Sequence, residues 1–170
     1  MLSFSNKNRN LLTFIFFSLF LLLGIFSFSD YGISIDEDNT RLNGFVSLKY
    51  ILEFFYPQSL PNLDKLITVP NISEFNEKGI GVIYDLPLAF LEFLFQVNDS
   101  RNYYLLRHFF NFLFYFAGVY FFYLLAKRRF KSWLMGIIGA SFLIITPRMF
   151  AESFYNNKDL VFLSLFIICL

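Results

Sequence analysis

"LLTFIFFSLFLLLGIFSFS", residues 11–29, carries no charged side chain. As a helix rising about 1.5 Å per residue it reaches roughly 28 Å, close to the hydrocarbon thickness of a bilayer. Lys7 and Arg9 precede it, as basic residues precede a secretory signal. The apolar run is too long for a signal, however, and no small-residue cleavage site follows it. The reading is an uncleaved transmembrane helix. The rest of the chain agrees, because 56% hydrophobic and 22% aromatic content lies outside the range of ordinary soluble domains. A net charge of +1 gives no ground for a nucleic-acid partner.

Further apolar runs follow. "FFNFLFYFAGVYFFYLLA", residues 109–126, is closed by the basic "KRRFK" of 127–131, and a second span is expected over 105–126. A third is expected over 132–146, where Pro147 stops it, and a fourth begins at Leu160. The last run, 160–170, reaches only about 16 Å as a helix. It therefore reads as an unfinished span, and the sequence as the N-terminal part of a longer polytopic protein. Short loops rich in Lys and Arg stay cytoplasmic. This places residues 1–10 and 127–131 inside, and 30–104 and 147–159 on the extracytoplasmic side of the plasma (inner) membrane. The expected fold class is an all-α integral membrane protein with three complete transmembrane helices, a truncated fourth and a helical extracytoplasmic loop subdomain. Cys169, the one cysteine, reads as a buried, inert thiol.

Within 30–104, two helices are expected to lie in the membrane interface. The first, 40–56, repeats apolar residues at helical spacing (Leu42, Phe45, Val46, Leu48, Ile51, Leu52, Phe55), with Asn39 or Thr40 to cap it and Pro57 to end it. The second, 84–96, is too short and too interrupted by charge to span. The stretch between them is turn-rich and polar.

Charge gathers at two places. "GISIDEDNTRLNG", residues 32–44, sets Asp36, Glu37 and Asp38 just beyond the first apolar run. "PRMFAESFYNNKD", residues 147–159, brings Arg148, Glu152, Lys158 and Asp159 to the end of the third. The bland reading of the triplet is a solvated loop that helps start a helix at its positive end, and that of Asp159 is a helix N-cap. Yet carboxylates from two separate segments, with cations at one depth, form an arrangement that a simple anchor does not need. Arg107 is read as snorkelling to the headgroups or pairing with an acid, and His108, the one histidine, as an interfacial residue.

These features resemble the GT-C superfamily of membrane glycosyltransferases. The nearest likeness is to the branch with the protein O-mannosyltransferases and the aminoarabinose transferases of lipid A. "SIDEDNTRLNG" is similar to the first-loop motif of that branch, and "TPRMFAESFYNNKDLVF" to the stretch in which an acid opens the fourth helix. The resemblance implies transfer of a sugar from a polyprenyl-phosphate-linked donor to an acceptor hydroxyl, with inversion, at the outer face of the membrane. It implies Asp36, with Glu37, as the catalytic carboxylates, Asp36 being the general base. It implies substrate-binding roles for Arg41, Arg107, Arg148, Glu152, Lys158 and Asp159. In some relatives a divalent cation, Mg2+ or Mn2+, is held by acids in the positions of Asp36 and Asp159. The acceptor class (lipid, glycan or protein) stays open, and membrane lipids are the surroundings.

The rival is a non-catalytic polytopic protein, a transporter or an assembly subunit. Ionisable residues in mid-membrane would favour transport, and the apolar runs hold none. No phosphate-binding glycine loop, dinucleotide fingerprint, zinc cluster or hydrolytic triad is present in the sequence.

Overall fold

A computed structural model describes residues 5–56, 64–76 and 81–170. Among these the chain is all-helical: α1 (Asn6–Ser27), α2 (Glu37–Phe55), α3 (Asp64–Ile67), α4 (Asp85–Leu94), α5 (Ser100–Arg129), α6 (Trp133–Ile145), α7 (Pro147–Tyr155) and α8 (Asp159–Cys169). Two compact units are present. One joins Met1–Gly32 to Leu105–Leu170, and the other is Ile33–Tyr104.

In the first unit, aromatic rings and small residues fit helix to helix. Gly24 of α1 lies against the Phe112 ring of α5, which occupies the space a Cβ would take. Phe112 in turn stacks on Phe154 of α7 with centroids 5.4 Å apart, and Phe154 stacks on Tyr31 at 4.4 Å. Gly118 of α5 meets Ser164 of α8, and Gly136 of α6 meets Tyr123 of α5. Small residues at crossings let apolar helices approach closely where no water drives them together. Buried polar groups on the same helices find backbone partners: Asn111 Nδ2 donates to the Phe154 carbonyl at 2.8 Å, and the Tyr115 hydroxyl to that of Leu143 at 2.8 Å.

Most of α1 faces outward. Only 17% of its most apolar window is buried, and Leu11, Phe14, Leu19, Leu22, Leu23 and Phe26 are exposed. An apolar surface of that extent needs an apolar neighbour. Helices α1 and α5 are long and apolar enough to cross a membrane, and α6 with α7, bent by 68°, makes a third if the pair is taken as one span.

Several helix bounds differ from expectation for local reasons. Pro147 stops α6 but also opens α7, since proline suits the first turn of a helix, where no amide hydrogen is required. Residues 147–155 are therefore helix rather than the expected loop, with Phe150 and Phe154 on its inner side. Helix α5 starts at Ser100 and runs through Lys127–Arg129, whose charges complement the negative end of its dipole. Cys169 is exposed rather than buried.

The second unit is built on α2 and α4, which pack together through Phe45, Leu48 and Ala89, joined by Leu66 of α3. Gly44 makes the close approach: a Cβ there would stand 2.5 Å from the Asp85 carbonyl oxygen. The apolar residues of α2 divide along its length. Phe45, Val46 and Leu48 are buried, whereas Ile51, Phe54 and Phe55 are exposed. Helix α3 interrupts the stretch expected to be turns; residues 68–76 after it form turns and irregular backbone, and 57–63 and 77–80 lie outside the described residues.

Candidate functional site

The acid triplet is sorted by its place on α2. Asp36 is the N-cap position, and neither Asn39 nor Thr40 caps the helix as expected. The Thr40 hydroxyl instead bonds back to the carbonyls of Asp36 and Glu37, at 3.1 and 3.0 Å. Glu37 turns inward. It is 1% exposed, and its Oε2 accepts the Ser34 amide hydrogen at 2.7 Å, which fixes the turn that enters the helix. Asp38 accepts a hydrogen bond from the hydroxyl of Tyr104, itself buried. Asp36 is exposed, and its carboxylate does not cap the helix it opens. Neighbouring acids thus have different work: Glu37 and Asp38 tie backbone and side chain together, while Asp36 faces outward at the positive end of a 19-residue helix. Glu37 thus holds the turn that opens α2.

Arg41, one turn further on, is committed to its own unit. Its Nε donates to Glu92 Oε2 at 2.8 Å, and its guanidinium lies 3.7 Å from the Tyr103 ring centroid. Glu92 is 0% exposed, so Arg41 supplies charge compensation that a buried carboxylate requires.

Arg107 and His108 of α5 are both buried, at 1% exposure. Burial of Arg107 sets aside a side chain extended into solvent and leaves its pairing within the protein as the reading. The sequence places both residues next to an apolar run without showing which helix face turns inward.

Two acids of the first unit, Glu152 and Asp159, meet at the junction of α7 and α8. Arg148 Nε donates to Glu152 Oε1 at 2.7 Å, one helical turn away, and Arg148 remains largely exposed. Asn156 then links the acids: its Nδ2 donates to Glu152 Oε2 and to Asp159 Oδ2, both at 3.2 Å. Its Oδ1 accepts the Asp159 amide hydrogen at 2.9 Å. Asn156 thus supplies the cap that had been expected of Asp159, which lies in the first turn of α8 after Lys158. Asn is among the strongest capping residues, and "NNKD" held that signal. The apolar run at 160–170 drew attention to Asp159 instead.

Among the described residues, no group of three or more His, Cys, Asp or Glu side chains could hold a metal ion. No known protein family, curated protein or solved structure matches the chain.

Proposed function

We propose that the chain is a membrane glycosyltransferase component of the GT-C type, moving a sugar from a polyprenyl-phosphate donor to an acceptor hydroxyl. The observation that carries this reading is the exposure of Asp36 at the start of α2. It adds to the likeness of "SIDEDNTRLNG" and "TPRMFAESFYNNKDLVF" to the transferase motifs. In this reading the protein is an integral protein of the plasma membrane with a cytoplasmic N-terminus.

The chemistry assigned to Asp36 is general-base catalysis. An acceptor hydroxyl is a poor nucleophile at neutral pH, and a carboxylate within hydrogen-bond reach takes its proton as the oxygen attacks the anomeric carbon. The bond from that carbon to the phosphate oxygen breaks, and the lipid phosphate leaves with the electron pair. Configuration at the anomeric carbon inverts. Fixed cations stabilise the charge that grows on the leaving phosphate.

The direct test is deletion of the chain at its own locus, with the lipids and glycans of the cell surface compared by mass spectrometry. Loss of one sugar from one acceptor class, with its lipid-linked donor accumulating, is the expected result. Unchanged surface sugars and donor pools would leave the non-catalytic reading in its place.

A further inference from the structure

A cavity of the first unit lies where the start of α1, the end of α5 and the start of α6 meet. It is about 710 Å³ in volume and is lined by Arg9, Lys127, Arg128 and Lys131, with Trp133 and polar neighbours. Among the described residues, no carboxylate lines it. A second cavity of about 310 Å³ adjoins it and shares Asn10, Leu124 and Lys127. Its lining is aromatic: Phe14 and Phe17 from α1, Tyr120 and Tyr123 from α5. A cationic chamber thus continues into an apolar groove between two helices that can cross a membrane.

The wall between the cavities is held in place. Trp133 Nε1 donates to Thr13 Oγ1 at 2.7 Å, and that hydroxyl donates to the Arg9 carbonyl at 2.9 Å. One threonine therefore ties α6 to α1 beside the basic chamber. Lys131 adds a further sign. Its φ is 49°, a left-handed conformation, and it occupies the position after α5 where a glycine costs least. The Ser132 amide donates to the Lys127 carbonyl at 3.2 Å and the Lys131 amide to that of Arg128 at 3.4 Å, which completes the helix-ending turn. A lysine is kept at backbone cost in a place where its charge lines the chamber.

We propose that this chamber and groove bind an anionic phospholipid, with the headgroup phosphate among Arg9, Lys127 and Lys131 and an acyl chain along Phe14, Phe17 and Tyr120. Basic pockets between membrane helices suit phosphate headgroups, and the continuous apolar groove favours a lipid over a free phosphate. The proposal rests on the membrane reading above but not on sugar transfer.

The test uses the chain in an uncharged detergent, after alkaline carbonate extraction of the membranes that contain it. Melting temperature is followed while phosphatidylglycerol, phosphatidylcholine of the same acyl length, or inorganic phosphate is added. Phosphatidylglycerol alone should raise it. Replacing Arg9→Gln and Lys127→Gln should each weaken the apparent lipid affinity about fivefold. Arg129→Gln, in the same basic stretch but outside the cavity lining, should leave it unchanged. Lys131→Gly should raise the melting temperature of the lipid-free protein by roughly 2–4 °C while weakening the response to phosphatidylglycerol, so lost affinity cannot be ascribed to misfolding. Equal responses to the two lipids, an equal response to inorganic phosphate, or equal weakening by Arg129→Gln would overturn the proposal. Release by carbonate would overturn the membrane reading itself, and the lipid site with it.

Discussion

Arg41 on α2 and Glu92 on α4 are joined at 2.8 Å across the second unit, and the carboxylate is wholly buried while the guanidinium is one-quarter exposed. The pair links the helix that Asp36 precedes to the helix that packs beside it. Removing one partner from a buried pair leaves the other uncompensated, at a cost of about 3–5 kcal/mol. Arg41→Met should therefore destabilise the protein by about 3 kcal/mol, at the lower end of that range because Arg41 retains some solvent. The double replacement Arg41→Met with Glu92→Leu should recover most of the loss. Thermal unfolding followed by circular dichroism checks this, and two losses that simply add would show the pair to be uncoupled.

Gly44 gives a prediction whose sign separates two effects. On helix propensity alone, Gly→Ala inside a helix gains up to about 1 kcal/mol. At Gly44 the new Cβ would stand 2.5 Å from the Asp85 carbonyl oxygen and 2.9 Å from its carbon, and backbone cannot step aside cheaply. Overpacking of this kind costs about 1–3 kcal/mol, so Gly44→Ala should lower the melting temperature. Gly32, with nothing within 4 Å of its built Cβ, should accept alanine without loss. Tolerance of alanine at Gly44 would mean that α2 and α4 lie further apart than described.

Gln96 ends α4 with a φ of 49°, in the same turn that Lys131 forms after α5. The Val97 amide donates to the Glu92 carbonyl at 3.0 Å and the Gln96 amide to that of Phe93 at 3.2 Å. A non-glycine residue in this conformation costs roughly 1 kcal/mol. Gln96→Gly should raise stability by about that amount, without any effect on lipid response. A fall in melting temperature would show that the Gln96 side chain contributes more than its backbone costs.

Asn156 is the link most easily tested in the first unit. Alanine there removes two donations to carboxylates and one cap, and should cost about 1–2 kcal/mol. Asn156→Asp keeps an acceptor for the Asp159 amide but places a third negative charge beside Glu152 and Asp159. It should be the more destabilising of the two at neutral pH. Unfolding curves for both variants decide the order.

How far this structure was legible in the sequence depended on the physical signal available. Long uncharged runs mark α1 and α5 because hydrocarbon thickness sets a length that few soluble segments reach. Periodicity marked α2, yet its start lay three residues earlier than expected, since Asp36 rather than Asn39 or Thr40 holds the cap position. Helix α7 was hidden by Pro147, read as an end when proline also begins helices. The site was less legible. Nothing in "DED" distinguishes a carboxylate that turns inward from one that faces water, because that follows from Ser34 and Tyr104, three and sixty-six positions away. The burial of Arg107 and His108 was hidden for the same reason. Charge shows in composition, but partners and inner faces are set by tertiary packing.

The most direct measurement compares two neighbours, Asp36→Asn and Glu37→Gln, for transfer activity and for melting temperature in the same membranes. The account predicts that Asp36→Asn abolishes sugar transfer with stability and membrane insertion unchanged, and that Glu37→Gln lowers stability by about 1–3 kcal/mol through the buried bond to Ser34. Full transfer by Asp36→Asn would contradict the account.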